Sequence, residues 1–159
     1  MLKSFFQHGR HAFYSDALVT GASFRPPFEG RAYPCLLWDH RGDWPADAQA
    51  QLAKSLIESN CRYVVCGGLQ SEVWHDQVDE AFVLHYLEAS EEDRDSHHVM
   101  TSLHQTDSVE DVAFFFALNT NFDEHDFAEF LVLHLGGTPA QQLLVEESVR
   151  DAEIGEAAG

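Results

Sequence analysis

Lysine and arginine are scarce in this 159-residue chain, 9 against 27 aspartates and glutamates, for a formal net charge of −18. The shortage is regional. Residues 1–70 hold 7 basic and 6 acidic residues, whereas residues 71–159 hold only Arg94 and Arg150 against 21 acidic ones. A surface so poor in cations cannot neutralise phosphates, which excludes DNA and RNA as expected ligands. Anionic membrane surfaces are disfavoured for the same reason. Long apolar runs are also missing. The longest strongly apolar stretch, Val112 to Leu118, is seven residues, and a membrane span needs about 18. The start of the chain, MLKSFFQHGRHAFYSD, has no apolar core followed by a cleavage site, so no signal peptide is expected.

Cysteine is sparse and odd in number. Cys35, Cys61 and Cys66 form no CxxC pair, which predicts reduced thiols in a cytoplasmic protein and argues against a cysteine-held zinc. The ten histidines make no ligand motif either. His97 and His98 are adjacent and would point to opposite faces of a strand, and no HExxH pattern occurs. Gly67-Gly68 and Gly136-Gly137 are followed by no Walker lysine and form no GxGxxG, and the acidic runs lack the Asp-x-Asp-x-Asp-Gly spacing of a calcium loop. Neither a metal nor a cofactor is therefore expected.

What remains is a chain able to build a core, with 45% hydrophobic residues and 12 phenylalanines. The pattern predicts one α/β domain over residues 33–151, an N-terminal arm over 1–32 and a frayed tail over 152–159. Four short strands are predicted, at Tyr33–Trp38, Arg62–Cys66, His97–His104 and Phe130–Leu135, the first two read as buried on both faces and the third the least apolar. A helix follows each. Asp43 with Pro45, Ser108 with Asp111, and Thr138 with Pro139 and Gln141 supply start signals. Strands separated by about 25 residues and a helix suit parallel crossovers. The expected fold is a three-layer sandwich with a short, mainly parallel four-stranded sheet, flavodoxin-like or Rossmann-like, in the order second-first-third-fourth.

The segments Cys61-Arg62-Tyr63-Val64-Val65-Cys66-Gly67-Gly68, Trp74-His75-Asp76-Gln77-Val78-Asp79 and Val99-Met100-Thr101-Ser102-Leu103-His104, the last followed by Ser108, resemble an uncharacterised bacterial domain-of-unknown-function family. That resemblance implies a small α/β fold and a bacterial source. It implies no activity, so no residue role is carried over.

Two candidate sites follow from the residues themselves. Ligands of open parallel sheets bind beyond the C-terminal strand ends, where the strand order reverses. With the expected order, Asp39, His40 and His104 would converge between the first and third strands, with types suited to a metal site or to acid–base work. Cys66, at a strand tip before two glycines, is the candidate nucleophile. The second site is electrostatic. Glu91, Glu92 and Asp93 precede the third strand, and Asp123, Glu124 and Asp126 precede the fourth, so both runs should emerge at the edge opposite the Gly-Gly turns as one acidic rim. Phe122 and Phe127 would serve there as interface anchors or as core residues pinning the loop. The leading expectation is an acidic interaction or accessory protein, of the immunity or inhibitor kind, docking a basic partner. The alternative is a small-molecule binder or enzyme using Asp39, His40, Cys66 and His104.

Overall fold

The computed structural model describes residues 1–122 and 125–158. It has six strands and five helices: β1 (Lys3–His8), β2 (His11–Leu18), β3 (Tyr33–Asp39), α1 (Ala46–Glu58), β4 (Cys61–Gly68), α2 (Ser71–His85), α3 (Glu91–Ser96), β5 (Met100–Leu103), α4 (Val109–Leu118), β6 (Glu129–Leu135) and α5 (Pro139–Ala158). The fold is α/β, but the sheet has six strands rather than four, in the order β1-β2-β6-β3-β4-β5. It is also mixed, because β1 runs antiparallel to β2 while the other pairs are parallel.

The two added strands come from residues 1–32, where an arm was expected. Gly9 and Arg10 close a two-residue hairpin between His8 and His11, with Gly9 at φ +59, the conformation that the first position of a type II′ turn reserves for glycine. The segment reads poorly as strands because β1 is mostly exposed. A strand wet on its outer side shows no continuous apolar run. β2 then lies parallel to β6 over its whole length, from Ala12 opposite Glu129 to Leu18 opposite Leu135.

Alternation along the strands divides the interior into two layers. Cys35 and Leu37 of β3, Val64 and Cys66 of β4, and Leu131, Leu133 and Leu135 of β6 face α1 and α2, where Leu52, Leu56, Trp74 and Val78 meet them. Leu36, Val65, Phe130 and Val132 face α4 and α5, where Val112, Phe116, Val145 and Val149 close the core. The helix starts follow the capping chemistry. Ser108 Oγ accepts from the Asp111 amide at 3.1 Å. Thr138 and Gln141 exchange two bonds, at 2.8 and 3.2 Å, as a reciprocal capping box. α1 differs, since it begins after Pro45 while Asp43 accepts instead from Thr20 and Arg41.

The observed order corrects the expected one. Among the four central strands it is β6-β3-β4-β5, so β3 and β5 are not neighbours. The chain steps through β3, β4 and β5 with α1 and α2 on one face. It then crosses back through α4 on the other face, because Val112 and Phe116 of α4 pack on Phe130 and Val132 rather than on the α1–α2 side. Reversal of direction with unchanged handedness moves the helix to the other face. The point of reversal therefore lies between β3 and β6.

Candidate functional site

The crevice constellation is not assembled. Asp39 points to the α1–α2 side, fully buried, where it accepts from Trp74 Nε1 at 3.0 Å and from the amides of Arg41 and Gly42 at 3.0 and 2.8 Å. It organises the turn leaving β3. His104 lies beyond β4 and packs its ring on Phe115 of α4, with centroids 4.9 Å apart, while its nitrogens engage Asp107 and Ser102. Asp39 and His104 thus serve opposite faces of the sheet. Cys66 is sealed in the α1–α2 layer, where burial, followed by the charge of Asp79, pushes its thiol up. A thiol so held is not a thiolate nucleophile at neutral pH.

Asp39 and His40 both leave β3 at the actual reversal point, Asp39 toward α1 and α2 and His40 toward α5, where its partners differ from the expected ones. His40 Nε2 lies 2.9 Å from Nδ1 of His134, the sixth residue of β6, and the rings stack at 5.2 Å. His134 Nε2 lies 2.8 Å from Glu146 Oε2 on α5, and Lys3 Nζ of β1 approaches the other carboxylate oxygen at 3.6 Å. His134 and Glu146 are buried, while His40 is half-buried. Burial alone would raise the Glu146 pKa, but the hydrogen bond from His134 and the charges of His134 and Lys3 outweigh it and hold the carboxyl below its usual range. An ionised Glu146 only accepts. The carboxylate therefore accepts from the proton on His134 Nε2, and one further proton is shared between His134 Nδ1 and His40 Nε2. Burial, then the neighbouring His134, lowers His40 to about 4 against the opposing effect of Asp39. His40 is thus a neutral imidazole at physiological pH. The sequence signal for this line is a histidine, His134, inside an otherwise apolar strand.

The paired glycines are committed to packing rather than to a phosphate. A Cβ at Gly67 would stand 2.7 Å from the Trp38 ring, and one at Gly68 would stand 2.5 Å from the Asp39 carbonyl. Gly136 and Gly137, at φ +71 and +94, leave room in the same way for the Arg41 chain and the His40 ring. Among the described residues no group of three or more His, Cys, Asp or Glu side chains could hold a metal ion, and no helix is long and apolar enough to cross a membrane.

The acidic runs are distributed unevenly. Glu91, Glu92 and Asp93 form the exposed first turn of α3, capped by Ser90 Oγ at 3.1 Å from the Asp93 amide. Arg62 Nη2 holds the end of this helix through the Ser96 carbonyl at 2.9 Å. Asp126 is ion-paired with Arg10, and Glu129 of the same run with Arg31. Asp123 and Glu124 lie outside the described residues. Phe127 is buried, and Phe122 sits edge-on to Tyr63 at 5.9 Å, so both pin the loop to the core. Between β5 and β6, the strands that the two runs precede, lie β3 and β4.

A different acidic feature lies on the α4–α5 layer. A groove of about 420 Å³ runs between these helices, apolar at Phe114 and Leu144 and acidic at Glu110, Asp111, Glu147 and Asp151. No lysine, arginine or histidine lines it. The groove between α1 and α2 is larger, about 790 Å³, but mixed in charge, with Lys54 and His85 beside Asp47 and Glu80.

The profile of one family matches residues 13–152, and the chain belongs to that family, a domain of unknown function designated DUF7684. The matched region runs from the third residue of β2 into α5 and leaves β1 outside. No curated protein and no solved structure shows significant similarity to the chain.

Proposed function

We propose that this family member is an acidic accessory protein, of the immunity or inhibitor kind, that docks a basic partner protein. The observation that carries this reading is where the few cations are spent. Lys3, Arg10, Arg31, Arg41 and Lys54 each lie against a carboxylate of the same chain. The exposed carboxylates of α3 and those flanking the α4–α5 groove have no such partner among these five. Uncompensated charge of one sign steers a partner of the other sign and sets the register of docking. Glu91, Glu92, Asp93 and Asp126, with Asp123 and Glu124 beside them in sequence, make one candidate contact region, and the α4–α5 groove makes the other.

Affinity capture with two charge-reversed variants tests the reading. One carries lysine at Glu91, Glu92, Asp93 and Asp126, the other at Glu110, Asp111, Glu147 and Asp151. The expected result is a basic protein, identified by mass spectrometry, that is released by raised salt and lost with one of the two variants. Capture unchanged by both reversals removes the proposal.

A second reading is favoured by the His40–His134–Glu146 line at the β3/β6 reversal, where open sheets bind ligands. In it, the protein binds a small molecule against the neutral imidazole of His40. A thermal-shift response to a metabolite panel that disappears in His40→Gln supports it. A response indifferent to that substitution sinks it.

A further inference from the structure

We infer that the α4–α5 groove receives an amphipathic helix with basic flanks, contributed by the docked partner. The inference rests on the docking reading above and names its surface and the shape of its occupant. Phe114 and Leu144 are large apolar side chains left 48% and 52% exposed, facing each other across the groove. Glu110, Asp111, Glu147 and Asp151 flank them. An apolar centre with a rim of one charge is the anatomy of a specific contact rather than of a merely solvated helix pair.

The occupant follows by elimination among chemistries. A second copy of the chain, seated groove to groove by a two-fold axis, would bring these carboxylates against their own equivalents, and like charges held opposite one another repel. Nucleic acid and anionic lipid meet the same repulsion. An extended peptide draws its affinity from main-chain hydrogen bonds to a free sheet edge. The interiors of α4 and α5 have none to offer, since their amides and carbonyls bond within each helix. What fits is a segment that satisfies its own backbone, presents apolar side chains to Phe114 and Leu144, and carries lysine or arginine on both sides.

The spacing suits such a segment. Glu110, Asp111 and Phe114 on α4, and Leu144, Glu147, Ser148 and Asp151 on α5, recur at three and four residues. These are the ridges between which a third helix packs. α4 has 10 residues, about 15 Å of helix, so an occupant of three to four turns spans it.

The test uses the full chain and two labelled synthetic peptides of identical leucine and lysine content. One peptide is patterned as an amphipathic helix and the other is scrambled so that no apolar face forms. The patterned peptide is expected to bind, with amide shifts concentrated on α4 and α5. Affinity is expected to fall about tenfold or more in Phe114→Ser/Leu144→Ser and by a similar factor for the scrambled peptide. The folded state of the double variant is checked by its unchanged amide spectrum elsewhere. Equal binding of both peptides overturns the helical occupant while leaving electrostatic docking intact. Binding of neither overturns the groove, while docking through the α3 region is decided separately by the charge-reversed capture variants. Shifts confined to other surfaces overturn the groove. A dimer of the parent chain that the double variant converts to monomer in sedimentation overturns the inference by giving the groove to a second copy.

Discussion

Asp39 and His40 are adjacent in the chain and belong to opposite halves of the molecule. Asp39 turns toward α1 and α2, where the layer is sulfur- and tryptophan-rich and its polar groups are satisfied by three donors to one carboxylate. His40 turns toward α4 and α5, where the layer is rich in phenylalanine. A polar line there runs from His40 at the surface through His134 and Glu146 to Lys3. The same strand end thus supplies a sealed structural hub on one face and a polar path open to solvent on the other. The comparison teaches that a strand-tip position is a weak guide to chemistry until the face it serves is known.

The largest effect should come from breaking the sealed side. Asp39→Ala leaves an indole N–H and two amides without their acceptor, and urea unfolding should register a loss of about 3–5 kcal/mol. A loss below about 1 kcal/mol would show that the turn re-pairs on its own. On the open side, Glu146→Gln removes the carboxylate that fixes the His134 tautomer. A smaller loss of about 1–3 kcal/mol is expected, with the ring nitrogen shifts of His134 and His40 moving together. Movement of His134 alone would break the proposed line.

Acidity should distinguish the two sides as well. His40 is held at about 4 against an ordinary 6.5, so between these values the unfolded chain binds a proton that the folded chain refuses. Stability therefore falls as pH drops from about 6.5 toward 4. His40→Gln should flatten that part of the urea-midpoint profile, and an unchanged slope would assign it elsewhere. The Glu146 carboxyl, held low, contributes in the same direction, its share being lost as pH falls below its ordinary 4.5. The smallest effect belongs to the outermost groups of the open side. Phe114→Ser and Leu144→Ser, at half-exposed positions, should change stability by about 0.5 kcal/mol or less. A larger loss would mean that the groove is core and not a docking surface.

Much of the central fold was legible. β3, β4 and β6 are apolar runs stopped by Asp39-His40, Gly67-Gly68 and Gly136-Gly137, and Ser108 and Thr138 announce the helices they cap. The hairpin escaped because β1 is wet and its signal is one glycine at a turn. Strand order escaped because it depends on which face α4 buries, and α4 is apolar nearly all round. At the candidate site, His40 was legible from the strand-end rule. His134 stands out in the sequence as the one polar residue in the run Phe130 to Leu135. Glu146 was invisible, since nothing local distinguishes it from Glu147, which points into solvent. The intrachain partners of Asp126 and Glu129 were not legible, because they lie more than 90 residues away in sequence.

The parallel pairing of β2 with β6 sets an order in time. The hairpin is made before the other four strands of the sheet, yet the strand it must join is the last of the six to be made, with Ala12 finally set opposite Glu129. Closing so long a loop is entropically costly before any contact repays it, and pairings of this kind slow folding. The β3–β4–β5 unit can form while synthesis continues, because each of its strands neighbours the previous one. Seating of the hairpin then completes the sheet as a late event, when Lys3 reaches Glu146 and His11 reaches Glu153 on α5. The earliest-made strands of the sheet are thus the last to find their places.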